Sequence, residues 1–147
     1  MSAFKDGSFN QRFAAMGDEA EAKFEEVTEE GHVRFGLNRP PLKMSLLPKR
    51  LRNMPDYLLS SSLVEVQGVG RDQIVKIKVE KLRCLEWWAL LHPVELFIWD
   101  SSKKRTVRVP LKKIMDLTEG PTAVLDHFHD GPAYFAIPAS ELFDAEV

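Results

Sequence analysis

The sequence contains a single cysteine, Cys84, in 147 residues. One thiol excludes an internal disulfide framework and suits a reducing compartment. No Cys/His spacing resembles a zinc-ligand set. Long apolar runs are missing as well. No stretch approaches the roughly 18 residues that a membrane span requires, and the N-terminal residues lack the apolar core of a secretory signal. Internal repeats and low-complexity tracts are absent. These absences predict a cytoplasmic protein with no membrane association, folded as one domain over 1–147. The composition, 44% hydrophobic and 29% charged, is that of an ordinary globule large enough to bury a core.

A formal net charge of −2 conceals strong segregation. Residues 6–30 carry eight acids against Arg12 and Lys23, whereas residues 31–55 carry Arg34, Arg39, Lys43, Lys49, Arg50 and Arg52 and no acid. Basic residues also dominate 71–83 and 103–113, and beyond 113 there are seven acids and no Lys or Arg. Charge in blocks can present a basic face to a polyanion although the whole chain is acidic. The 31–55 block is punctuated by Pro40, Pro41 and Pro48, which exclude a continuous helix. It predicts a short strand near 32–36 followed by a long ordered loop, and such loops are more often functional than idle. Arg39, Lys43, Lys49, Arg50 and Arg52 are its candidate phosphate contacts, with Arg71, Lys76 and Lys78 further along.

That block leads directly into Pro55-Asp56, and Glu65-Val66-Gln67 follows nine residues later. If 57–59 is a strand that turns back through Ser60-Ser61-Ser62, then 63–67 pairs beside it and Asp56 lies near Glu65. Strand alternation sends Glu65 and Gln67 to one face and Val64 and Val66 to the other. Two acids with a polar third group form a hard, oxygen-rich site of the kind that holds Mg²⁺. The plainer alternative is a Pro-Asp turn followed by the solvated face of an amphipathic strand.

Upstream, residues 9–27 place Phe9, Phe13, Met16, Ala20, Phe24 and Val27 at helical spacing. Within that helix Gly17-Asp18-Glu19-Ala20-Glu21 reads Gly-x-x-x-Glu, with Glu19 as a neighbour that competes with Glu21 for any site role.

Pro55-Asp56, a variable gap and Glu65-Val66-Gln67 together resemble the PD-(D/E)xK nuclease superfamily, with Gln67 where lysine is usual. The Gly-x-x-x-Glu helix is similar to the first helix of archaeal-type Holliday junction resolvases and related phage nucleases. The likeness covers residues 9–100 in the order helix, loop, strand, strand, helix, strand. It implies an α/β domain with a central mixed sheet flanked by helices, the restriction-endonuclease-like core. It further implies a Mg²⁺- or Mn²⁺-dependent DNA endonuclease that resolves branched DNA and leaves 5′-phosphate and 3′-hydroxyl ends. Asp56, Glu65, Glu21 and the Val66 carbonyl would be its metal ligands. Gln67 would orient the attacking water, and Lys81 or Lys78 would replace the missing cation. A homodimer in a bacterial or phage-infected cell is the implied setting. The alternative is a nucleic-acid-binding module on a decayed nuclease fold, marked by Gln67; an RNA or tRNA nuclease is a third option.

The remaining chain reads as a turn at Gly68-Val69-Gly70-Arg71, a strand at 74–78 and a helix over 79–91. Leu82, Leu85, Leu91 and either Trp88 or Ala89 are expected on its buried side, and Pro93 stops it. A hairpin at 94–109, a short helix at 112–117, a strand at 133–137 and a last helical turn complete the expected elements. Cys84 is expected to pack rather than react. His127 and His129 alternate as strand ligands would, with no partner pair elsewhere.

Overall fold

The computed structural model describes residues 2–37 and 40–143, with side chains from Ala15 onward. Helix α1 (Ser2–Val27) precedes strand β1 (His32–Arg34). The long loop then carries a short 3-10 turn (Met44–Leu46) and helix α2 (Lys49–Arg52). Strands β2 (Tyr57–Leu59), β3 (Leu63–Val69) and β4 (Ile74–Lys78) follow, and β4 runs straight into helix α3 (Val79–Trp88). The rest comprises β5 (Val94–Asp100), β6 (Arg105–Pro110), α4 (Leu111–Thr118), β7 (Val124–His127), β8 (Ala133–Pro138) and α5 (Ser140–Phe143). Among the described residues, no helix is long and apolar enough to cross a membrane.

The domain is α/β, built on a five-stranded mixed sheet in the order β1-β2-β3-β5-β6. β3 and β5 are parallel, joined through β4 and α3, and every other pair in this sheet is antiparallel. A central parallel pair is covered on both faces, so β3 and β5 are buried almost throughout, Glu65 and Asp100 included. One face carries Ala20 and Phe24 of α1 against Tyr57, Leu59, Val64, Val66, Phe97 and Trp99. The other face packs Leu63, Val69, Leu96 and Ile98 against Leu82 and Leu85 of α3 and against β4 and β8.

The strand expected at 74–78 is present as β4, and it pairs with β8 in a separate three-stranded antiparallel sheet, β4-β8-β7, whose strand β7 periodicity did not reveal. Two expectations need correction. Leu91 is 63% exposed, because α3 ends at Trp88 and its periodicity is cut by the turn before Pro93.

Gly68 also lies inside β3 rather than in a turn. A β-carbon there would stand 2.6 Å from the Met16 Cγ and 3.2 Å from the Met16 carbonyl, so its glycine lets α1 lie close on β3. The contact seats on β3 the helix that carries Glu21.

Candidate active site

Asp56 is fixed by its backbone before its side chain acts. Its N–H donates to the Val64 carbonyl at 2.9 Å, and its carbonyl accepts from Phe35 at 2.9 Å and Gly36 at 3.2 Å. Both ends of the basic loop are therefore pinned to this residue. Gly36 permits the closure, since a β-carbon there would meet the Pro55 carbonyl at 2.7 Å. β2 and β3 pair only through Tyr57↔Val64 and Leu58↔Leu63, so the ladder has ended by the time β3 reaches Val66. The Asp56 carboxylate takes the position of the next bond: Oδ2 accepts the Val66 N–H at 2.8 Å. In an extended strand the N–H and C=O of one residue leave on the same side, so the Val66 carbonyl opens on the Asp56 edge.

Glu65 stands between, in the middle of β3, and points to the α3 side. It is 7% exposed, far from the solvated face that strand alternation alone allows. Its Oε2 pairs with the Lys81 Nζ at 3.2 Å, while no donor among the described residues reaches its buried Oε1. Burial pushes its pKa up to about 8, and the nearby Asp56 charge adds to the rise; Lys81 pulls the other way. Burial likewise raises Asp56 above its ordinary value, against the Val66 N–H and Lys81. Lys81, on the first turns of α3, is held protonated by Glu65 and Asp56 in spite of its own burial. An acid kept so far from water costs several kcal/mol, and such groups gather at functional sites.

Glu21 approaches from α1, and Glu19 faces solvent. Between Glu21 and Asp56 lies Arg34, a residue not singled out from sequence. Its Nη1 meets Glu21 Oε1 at 2.5 Å and its Nη2 lies 3.5 Å from Asp56 Oδ1. The guanidinium sits 5.2 Å from the centre of the Tyr57 ring, whose hydroxyl bonds Glu25. The antiparallel register Arg34↔Tyr57 brings it there. The strand near 32–36 was legible, but its pairing partner was not, and without the partner Arg34 had no address.

The other predicted residues divide. Gln67 shares the Glu65 face, yet its amide Nε2 donates to the Lys76 carbonyl on β4 at 2.5 Å. Lys78 ends β4 as the residue preceding α3 and is exposed. Arg50 lies over the Trp87 ring at 4.3 Å, and its carbonyl accepts the Trp88 indole N–H at 3.0 Å. Arg52 and Lys49 face Glu80 on α3, at 3.5 Å and 4.0 Å, and Asn53 donates to the same carboxylate. The half-buried Lys76 lies 3.7 Å from Asp72, while Lys43 and Arg71 are exposed. Arg39 is outside the described residues. His127 and His129 are both exposed, on and just after β7.

Among the described residues, no three His, Cys, Asp or Glu side chains are grouped as metal ligands. Mg²⁺ does not need three, because it binds through one or two carboxylates and keeps water or phosphate oxygens. The unsatisfied Glu65 Oε1, the Asp56 carboxylate and the Val66 carbonyl form an oxygen donor set of that kind. The cluster therefore combines hard oxygen donors, an adjacent ammonium and an adjacent guanidinium where the β2–β3 ladder ends.

No protein-family model matches the chain, and no curated protein does. Among solved structures, the chain is similar to Hjc, a Holliday junction resolvase from Archaeoglobus fulgidus, at 12% identity and a TM-score of 0.47, over 83% of this chain and 89% of that one. It is also similar to a nuclease from a fusselovirus, at 10% identity and a TM-score of 0.47, over 90% of this chain and 83% of that one.

Proposed function

We propose that this protein is a divalent-metal-dependent endonuclease acting on DNA, with its site at Asp56, Glu65 and Lys81. One observation carries the reading: Glu65 is a buried carboxyl with an unsatisfied oxygen, set beside a second acid and a lysine. A group in that state is poorly explained by stability and well explained by a cation that completes it. Asp56, Glu65 and the Val66 carbonyl would hold Mg²⁺ or Mn²⁺, with Glu21 as a further ligand. When bound, the ion supplies Lewis-acid polarisation of a phosphodiester and a hydroxide nucleophile near neutral pH.

The chain's own residues account for the rest. Lys81 stabilises negative charge that develops on the phosphate, the part usually taken by the lysine that Gln67 replaces. The Gln67 amide nitrogen is engaged with Lys76, so the group left for orienting a water is its Oε1. Lys43, Lys49, Arg71 and Lys78 are exposed cations suited to the phosphate backbone, and Arg39 belongs to the same basic run. Arg50, Arg52 and Lys76 combine such a role with the internal contacts described above. The sequence resemblance supports branched DNA as substrate and a homodimer, since cutting two strands suits a symmetric pair.

The test is cleavage of supercoiled plasmid and of a four-way junction by pure protein in Mg²⁺, Mn²⁺ or EDTA. Metal-dependent nicking that disappears in Asp56→Asn and Glu65→Gln is expected. A mobility shift at low salt with no cleavage in any metal would instead identify a DNA-binding module on a decayed site.

A further inference from the structure

The guanidinium of Arg34 occupies space between two of the three acids of the site. It is held from four sides: by Glu21 at 2.5 Å, by Asp56 at 3.5 Å, by the Gly36 carbonyl, which accepts its Nε–H at 3.3 Å, and by the Tyr57 ring at 5.2 Å. The two carboxylate contacts are unequal. The Glu21 pair is a short charge-assisted hydrogen bond, whereas the Asp56 contact is longer than such bonds run. Arg34 is therefore anchored on α1, the Gly36 carbonyl and the Tyr57 ring and only leans on Asp56. The second cation of the cluster, Lys81, pairs with Glu65 from the opposite side.

We propose that Arg34 is the resident counter-cation of this carboxylate cluster, and that a divalent ion must displace it from Asp56 in order to bind. The inference rests on the metal-dependent reading above and adds a device to it. Without metal, crowded carboxylates repel one another, and the two built-in cations offset that repulsion. A divalent ion at Asp56 would stand within a few ångströms of the guanidinium, where like charges repel strongly in a partly buried setting. Arg34 thus stabilises the metal-free site and weakens its hold on metal by the same contact. The Glu21 and Tyr57 contacts keep the displaced guanidinium beside the site rather than releasing it to solvent.

Calorimetric titration of the metal-free full chain with Mn²⁺ tests this without any cleavage assay. Arg34→Gln should bind Mn²⁺ roughly tenfold more tightly than wild type, the direction expected when a competing charge is removed. Its melting temperature in EDTA should fall, and the rise on adding Mn²⁺ should exceed that of wild type. Arg34→Lys retains the cation and should return the affinity toward the wild-type value, which a purely structural role would not require. Should Arg34→Gln fail to fold, ¹⁵N NMR of the wild-type Arg34 Nε–H offers a second route: Mg²⁺ should shift that resonance and speed its exchange with water. Wild-type Mn²⁺ binding with an unchanged or weaker affinity in Arg34→Gln would overturn the proposal and leave the metal site standing. An Arg34 resonance indifferent to saturating Mg²⁺ would do the same. No Mn²⁺ binding by wild type would overturn the metal-dependent reading and this inference with it.

Discussion

Glu65 on β3 and Asp100 at the end of β5 are both buried acids of the central sheet, and they are built in opposite ways. Asp100 is 0% exposed and fully provided for. Its Oδ1 accepts from the Gln73 amide at 3.0 Å and from the Ser102 and Lys103 N–H groups at 3.1 and 3.2 Å, while Oδ2 pairs with Arg105 at 2.8 Å. Burial pushes its pKa up, but these donors outweigh burial and hold it below its ordinary value. Through the same bonds it organises the β5–β6 turn and holds Gln73, whose φ of 55° is unfavourable for a residue with a side chain. Glu65 has one charged partner, an unsatisfied oxygen and a pKa pushed up to about 8. An acid that serves the fold is saturated with donors. An acid left short of them, beside other charges, keeps hydrogen-bonding capacity that the fold does not use.

The sharpest way to break that contrast is to neutralise each acid. Glu65→Gln or Asp56→Asn should abolish metal-dependent cleavage while the metal-free protein folds as well as wild type or better, because the substitution removes a charge that burial disfavours. Asp100→Asn should leave the site chemistry in place but cost about 3–5 kcal/mol of stability, the scale of breaking a buried ion pair. Urea unfolding and plasmid nicking on the same three variants decide it. Loss of stability in Glu65→Gln, equal to that in Asp100→Asn, would show that both acids are structural.

Next in size is the lysine. Lys81→Ala should slow cleavage roughly 10²–10³-fold, as removal of one electrostatic stabiliser does. Gln67→Lys should not restore the rate, because the Gln67 amide is tied to the Lys76 carbonyl and a cation there breaks that bond. Single-turnover cleavage at saturating metal measures both; an unaffected Lys81→Ala would remove Lys81 from the chemistry.

The two acids should also drive stability in opposite directions with pH. Glu65 has a folded pKa of about 8, above its ordinary 4.5, so its contribution is complete below pH 4.5 and is lost as pH rises through 8. Asp100 is lowered below 3.8, so its contribution is present above that value and is lost as pH falls through its folded pKa. Metal-free stability should decline from pH 4.5 to 8 in wild type and far less in Glu65→Gln. A profile identical in the two proteins would contradict the raised carboxyl.

The smallest effect concerns the basic loop. Lys49, with a side chain 70% exposed, should lower the salt slope of DNA binding by about one unit when changed to alanine. Arg52→Ala should act mainly on stability, since Arg52 is packed against Glu80 and the guanidinium is mostly covered. Binding isotherms at several salt concentrations separate the two.

Local chemistry in the chain determined much of this protein. Period-two alternation and apolar runs located β2 to β6, the 3.6 period located α1 and α3, and Pro55-Asp56 with Glu65 marked the cluster, because backbone preference and side-chain alternation act over a few residues. The tertiary structure alone decided the rest. Pairing of β1 with β2 delivered Arg34 to Asp56, and the central position of β3 between β2 and β5, under α3, buried Glu65. The packing of α3 brought Lys81 rather than Lys78 to Glu65, and the second sheet took Gln67 to β4. Each of these depends on contacts between residues far apart in the chain, where no periodicity records which strand lies beside which or how much water remains between them.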